Sequence, residues 1–273
     1  MSSPRSTNLN TPRAESDDQG RPVRLGEVRR VVSLVPSLTE SLAETATQLL
    51  AGATDWCTHP PGLAVARVGG TKNPDVAAIL ALAPDLVLAN EEENRAADLD
   101  ALRAAGLAVW VTEIRTLAQA FRSLDRMLTV ACGLARPAWL DQAEQAWREP
   151  APESAGSSRP APIRAIVPIW RRPWMVLGRD TFAGDVLRRL GVEQIYADHT
   201  ERYPAITLDH LRAAGADLVV LPDEPYLFTA SDGPEAFPGL PCALVSGRML
   251  TWYGPSLRTA RTMLAARLVR PPG

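Results

Sequence analysis

Cysteine and histidine are scarce in this 273-residue chain, which has three of each. Cys57, Cys132 and Cys242 are odd in number and far apart, which excludes a disulfide framework and a CxxC-type metal cluster. His59, His199 and His210 have no metal-ligand spacing such as HExxH. An excess of charge of one sign is also lacking. With 29 basic and 31 acidic residues, the net charge of −2 gives no electrostatic reason to expect nucleic acid as a partner. No window approaches the roughly 20 apolar residues of a transmembrane helix, so no membrane span is expected. A GxxxxGK phosphate loop, a GxGxxG after a strand and a GxSxG nucleophile elbow are all missing, which removes the commonest sequence signs of an enzyme. Residues 1–28 hold neither an apolar export segment nor a lipobox cysteine. The chain as written is therefore expected in the cytoplasm, with export or a cell-surface location as the alternative if its start lies elsewhere.

What is present is the composition of an ordinary globular protein, 46% hydrophobic and 22% charged, able to bury a core. The Ser/Pro/Asp-rich residues 1–28 read as a disordered tail, with folding from Arg29. Beyond it one plan occurs twice. NPDVAAILALAPDLVLANEE begins at Asn73 and ITLDHLRAAGADLVVLPDE begins at Ile206; each reads as a short amphipathic helix, a turn and a strand ending in acidic residues. DLVLA and DLVVL are apolar on both faces, as expected for parallel strands sandwiched between helices. First strands are expected at 29–36 and 164–170, each followed by a helix closed by glycine, SLTESLAETATQLLAG and TFAGDVLRRLG, with later strands at 108–113 and 242–247. Strands alternating with helices predict an α/β protein of two Rossmann-like, doubly wound lobes: 29–116 and 163–273. Between them, 117–149 carries a helical pattern that must break at Pro137, and 150–162 reads as a linker loop.

Ligands of such folds sit beyond the carboxyl ends of the parallel strands. Trp56, Trp170, Trp174, Tyr203, Tyr226, Trp252 and Tyr253 all fall in predicted loops at strand ends or turns, where broad, rigid, amphipathic rings suit a large flat ligand. Capping the lobe cores is the alternative use of such rings. In Pro36-Ser37-Leu38-Thr39, a helix start can offer backbone N–H groups and hydroxyls to an anion or carbonyl, or simply cap itself with Glu40. Arg171 and Arg172 can pair with ligand carboxylates or phosphate, or stand in a solvated loop. Glu91, Glu92 and Glu93 can hold a cation or an amine, or be solvated. The competing function is an enzyme using Glu91, Glu92, Asp223 and Glu224 as acid and base groups in a cleft between the two lobes.

RVVSLVPSLTESL, DWCTHPP, VGGTKNPDVAAILALAPDLVLA and LRRLGVEQIYAD, in that order, resemble the periplasmic-binding-protein class that serves cobalamin, ferric-siderophore and haem importers. NEEENR, IWRRPWM, ERYP, LPDEPY and LTWYGP are similar to its helical backbone metal receptor and cobalamin-binding members. The resemblance covers about residues 29–265. It implies two lobes joined by a long backbone helix (here 117–149), a ligand cleft between the lobes, and no catalysis. The implied ligand is a corrinoid, a ferric siderophore or haem, carried for an ABC importer or inside the cell, with no intrinsic cofactor or resident metal. Position by position, cobalamin-contacting aromatics fall on Trp56, on Tyr203 with Pro204, and near Trp252. Two further aromatic positions fall on Thr71 and Asn90, which cannot stack. The glutamates that such proteins use to dock on an ABC permease fall on Ala77 and Asp209, so one carboxylate of the pair is missing.

Overall fold

The computed structural model describes residues 13–148 and 161–269, which form two compact units. One unit runs to Glu113 and takes in Phe121–Ala138; the other comprises Ile114–Ala120 and the chain from Trp139 onward. The α/β class read from the sequence holds, each unit being built on a parallel sheet.

The first unit opens with an antiparallel hairpin, β1 (Arg13–Ser16) and β2 (Pro22–Leu25). Its sheet follows: β3 (Val31–Ser33), helix α1 (Pro36–Ala46), β4 (Leu50–Ala53) and β5 (Ala66–Arg67). A small ribbon of β6 (Gly69–Gly70) and β7 (Asn73–Pro74) leads into α2 (Val76–Ala81), β8 (Leu86–Asn90), α3 (Ala96–Ala104) and β9 (Val109–Thr112). The order β5-β4-β3-β8-β9 is parallel throughout. Val32, Val87, Val109 and Val111 of the sheet pack with Ile79, Leu99 and Leu102 of α2 and α3 in one core. Each such fully buried side chain contributes about 1.5–3 kcal/mol relative to exposure.

The connector expected over 117–149 is helical in three pieces. These are α4 (Leu117–Arg126), a π-helical turn (Met127–Ala131) and α5 (Ala138–Arg148). The break expected at Pro137 is wider than one residue, because Gly133 is left-handed (φ 68°) and ends the helical run four residues earlier. Of the predicted linker 150–162, residues 150–160 lie outside the described residues.

In the second unit, β10 (Ile163–Ile166) passes into a hairpin of β11 (Pro168–Arg171) and β12 (Trp174–Val176). Then come α6 (Phe182–Arg189), β13 (Val192–Gln194), α7 (Leu208–Ala213), β14 (Leu218–Pro222), β15 (Cys242–Val245), α8 (Gly247–Thr251) and α9 (Leu257–Ala265). The sheet order β13-β10-β14-β15 is again parallel. Both copies of the repeat fold as read, each with an N-cap at its short helix: Asp75 accepts from Ala78 N (2.9 Å) and Thr207 from His210 N (3.4 Å). Gly178 lets the chain at 201–204 run against β12, since a Cβ there would stand 2.2 Å from the Glu201 carbonyl oxygen.

Two expectations need correction. The helix after the first strand ends at Ala46, and residues 50–52, read as its glycine-closed end, belong to β4. Residues 13–25, read as part of a polar tail, form the hairpin. Val23 and Leu25 are buried on one side of β2, and Asp17 shapes the turn by accepting from Gln19 N (3.0 Å) and Arg21 N (2.9 Å). The hairpin is fixed to its unit by Asp18, whose carboxylate accepts from Arg126 Nη1 (2.6 Å), Glu113 N (3.2 Å) and the Ser123 hydroxyl. Asp18 N also donates to Val111 O (3.1 Å), so the turn takes up backbone groups along the outer edge of β9. Residues 1–12 lie outside the described residues.

Candidate functional site

In a doubly wound sheet the binding crevice opens where two neighbouring strands send their connections to opposite faces. In the first unit that point lies between β3 and β8, and in the second between β10 and β14. The loops leaving these strands carry most of the candidate residues.

In the first unit, Asn94 ties those loops together. Its amide donates to Leu34 O (3.3 Å) after β3 and to Thr71 O (3.0 Å) in the β6–β7 ribbon, and its carbonyl accepts from Asn90 N (2.9 Å). Asn90, a candidate ligand contact, is buried. Its amide donates to Thr112 O (3.0 Å) and Thr112 Oγ1 (3.1 Å), and its Oδ1 receives the backbone N–H groups of Glu92 and Glu93, because the β8 turn needs those bonds. Glu91, Glu92 and Thr71 are half-buried on the same loops, and Lys72 donates to Glu92 O.

Trp56 stands out of this surface, 67% exposed. A Cβ on Gly70 would lie 3.6 Å from its indole nitrogen, so Trp56 and the loop bearing Thr71 are neighbours. Arg67 braces the Trp56 loop from below by donating to the carbonyl oxygens of Thr54 (3.0 Å), Cys57 (3.0 Å) and Leu63 (3.2 Å). Ser37, Leu38 and Thr39, candidate ligand contacts, are buried within α1; Pro36 is half-buried. Thr39 donates to Val35 O (2.9 Å) and lies 3.0 Å from Cys57 Sγ, so its hydroxyl is consumed by the fold. Burial pushes the Cys57 thiol up, against the lowering effect of hydrogen bonds from Thr39 and Thr54.

In the second unit the structure gathers Trp170, Arg171, Trp174 and Tyr226. Trp170 (42% exposed) meets Tyr226 edge to face at 5.6 Å. Tyr226 packs on Phe228 at 4.7 Å, and Trp174 packs on Phe228 at 6.1 Å and Phe237 at 5.4 Å. Arg171, expected to meet a ligand anion, forms ion pairs with Asp232 and Glu235 and lies over the Trp174 ring at 5.4 Å. Arg172 is exposed. Tyr203 is half-buried under Arg202, on the segment paired with β12. Trp252 (8% exposed) and Tyr253 (5%), candidate ligand contacts, are buried. Trp252 donates to Glu224 Oε2 (2.9 Å), and Tyr253 meets Phe182 edge to face at 5.6 Å.

The acidic residues of the enzyme reading are occupied here too. Asp223 accepts from Gly247 N (2.6 Å), and burial raises the Glu224 carboxyl against the Trp252 hydrogen bond. Ala77 and Asp209 lie exposed on α2 and α7. Among the described residues there is no group of three or more His, Cys, Asp or Glu arranged to hold a metal ion, and no helix long and apolar enough to cross a membrane. Sequence reasoning missed Asn94, Arg67, Phe228, Asp232 and Glu235. Only Asn94, closing the NEEENR turn four residues after Asn90, left a readable sign.

Residues 31–235 match the protein family described as periplasmic binding protein. The vitamin B12-binding protein of Pectobacterium atrosepticum is 24% identical over 191 residues, 67% of each chain. The crystal structure of the periplasmic vitamin B12 binding protein of Vibrio cholerae superposes with a TM-score of 0.71 at 17% identity, covering 89% of this chain and 97% of that one. A periplasmic haem-binding protein from Pseudomonas aeruginosa gives 0.73 at 24% identity, covering 88% and 92%. These are binding proteins, not enzymes. They are also periplasmic proteins, which are exported, and this overturns the expectation of a cytoplasmic protein drawn from residues 1–28.

Proposed function

This chain belongs to the periplasmic binding protein family, and from that premise we propose that it binds a bulky metal-bearing small molecule of the corrinoid or haem class. The observation that carries this reading is the exposure of large rings beyond the carboxyl ends of parallel strands, Trp56 at 67% after β4 and Trp170 at 42% after β10. Such rings give a flat macrocycle broad contact at little entropic cost. Relatives named as vitamin B12-binding proteins and fold neighbours named as haem-binding proteins support the same class. A ferric siderophore is the remaining ligand of this kind.

The ligand is bound reversibly, as cargo, and an ABC permease is the partner that would receive it. Asp209, whose side chain is 94% exposed, offers that partner one carboxylate, whereas Ala77 offers none. A rim charge of this kind chiefly tunes association rate and salt dependence.

A thermal-shift screen with cyanocobalamin, cobinamide, haem and a panel of ferric siderophores tests the reading. A specific ligand at 100 times its Kd stabilises the protein by about 2.7 kcal/mol. Trp56→Ala and Trp170→Ala are expected to reduce that shift while leaving the ligand-free melting temperature nearly unchanged. Absence of a shift with every compound, or a shift insensitive to both substitutions, would refute it.

A further inference from the structure

We infer that Arg171 is a positioning residue, which sets the Trp170–Tyr226 aromatic pair for a flat ligand, and not itself a contact for ligand anions. The inference rests on the proposed function for what the pair binds, and on geometry for what Arg171 does. The β11–β12 hairpin carries Trp170, Arg171 and Trp174, and the loop after β14 carries Tyr226, Phe228, Asp232 and Glu235. Between hairpin and loop, the Arg171 guanidinium makes the charged link: one side pairs with Asp232 and the other with Glu235. A planar fork of donors holds two carboxylates at once, which an ammonium group cannot do with fixed geometry.

Both carboxylates are in turn built into the loop. Asp232 accepts from the Tyr226 hydroxyl (2.8 Å), and Glu235 accepts from Gly233 N (2.6 Å). Asp232 N and Thr229 N each bond the other residue's carbonyl oxygen, closing the turn between them. Arg171 thus orients the Tyr226 ring through Asp232, and Tyr226 meets Trp170 edge to face at 5.6 Å. The guanidinium also lies over the Trp174 ring at 5.4 Å, a ring itself packed on the buried Phe228 and Phe237. The Arg171 side chain is 19% exposed. The single positive charge of Arg171 is already matched by two carboxylates, which leaves it little attraction for a ligand carboxylate.

The test uses the full chain and the variants Arg171→Met, Arg171→Lys and Asp232→Asn, each alone and in a Trp170→Ala/Tyr226→Ala background. The first arm needs no ligand: amide hydrogen exchange is followed over 226–235. Arg171→Met and Asp232→Asn are expected to speed exchange there by about tenfold, as for loss of a charged hydrogen-bonded contact. Arg171→Lys should not restore protection, because it cannot bridge both carboxylates. Unchanged exchange in Arg171→Met overturns the inference, whatever the protein binds.

The second arm titrates ferric haem, its dimethyl ester and cyanocobalamin by tryptophan quenching. Positioning predicts that Arg171→Met weakens every probe that binds by one common factor, about five- to tenfold. The same substitution should then have no further effect in the Trp170→Ala/Tyr226→Ala background. A loss confined to haem and absent for its ester overturns the inference, since it would make Arg171 a direct anion contact. If wild-type protein binds none of the three probes, the corrinoid or haem reading fails, and the exchange arm still decides the role of Arg171.

Discussion

Asp185 offers the sharpest test of how the second unit is held together, through the substitution Asp185→Ala. The carboxylate is buried on α6 and accepts from Leu117 N (2.9 Å), Arg188 Nη2 (2.6 Å) and Arg189 Nε (3.0 Å). Leu117 opens α4 and is itself buried, so the substitution strands a backbone N–H away from water, which costs about 1–3 kcal/mol. Arg188 and Arg189 are 71% and 37% exposed at their side chains, so each pair adds only about 0.2–1 kcal/mol. The sum is about 1.4–5 kcal/mol, and at about 2–4 °C per kcal/mol for domains of this size, calorimetry should show a drop of about 3–20 °C. The effect carries a pH signature. Burial alone would raise the Asp185 carboxyl, but hydrogen bonds from Leu117 N, Arg188 and Arg189 together hold it below the ordinary aspartate value. Its contribution is therefore complete above about pH 4, the unfolded value, and disappears as pH falls through the depressed folded value. A loss under 1 kcal/mol at pH 7, or the same loss at pH 2.5 as at pH 7, would refute the reasoning.

Glu224 titrates in the opposite sense. Burial raises its carboxyl, so the fold favours the protonated form, and stability falls as pH rises from the ordinary glutamate value, about 4.3, through the raised one. In Glu224→Gln the Trp252 hydrogen bond keeps an acceptor, and urea unfolding from pH 4 to 8 should show that this decline is gone; an unaltered pH slope would count against it. Arg67→Met removes three carbonyl contacts around the Trp56 loop and should increase acrylamide quenching of Trp56 without unfolding the unit, whereas unchanged quenching would show that the brace is idle. Burial pushes the Cys132 thiol up to about 12, so native protein at pH 8 should resist alkylation there, with modification found first at the half-buried Cys242; rapid labelling of Cys132 by mass spectrometry would contradict its placement.

The parallel sheets were legible because burial on both faces leaves no polar alternation to confuse the reading; DLVLA and DLVVL declare themselves as β8 and β14. The switch-point loops followed from topology alone. Which side chains in those loops stay open did not. Trp170 and Trp252 look alike in sequence, yet Trp252 finds the Glu224 carboxylate and turns inward, while Trp170 keeps an open face. Arg171 looked like an anion contact because its two carboxylate partners lie more than sixty residues away in the chain. Residues 50–52 read as a helix end because the four residues of β4, LAGA, carry too little pattern to separate strand from helix. The hairpin at 13–25 was lost to composition: charged residues masked the alternation in PVRL that buries Val23 and Leu25.

That hairpin has a bearing on how the protein behaves in company. By occupying Val111 O and Glu113 N, its turn closes a flank of the first sheet to strand addition. A chain shortened to start at Arg29 keeps every candidate binding residue, yet it bares the outer row of β9, whose residues VWVT combine β-branching, an aromatic ring and no charge. Its characteristic failure would be self-association through that row, growing with concentration, in protein whose ligand surface is intact.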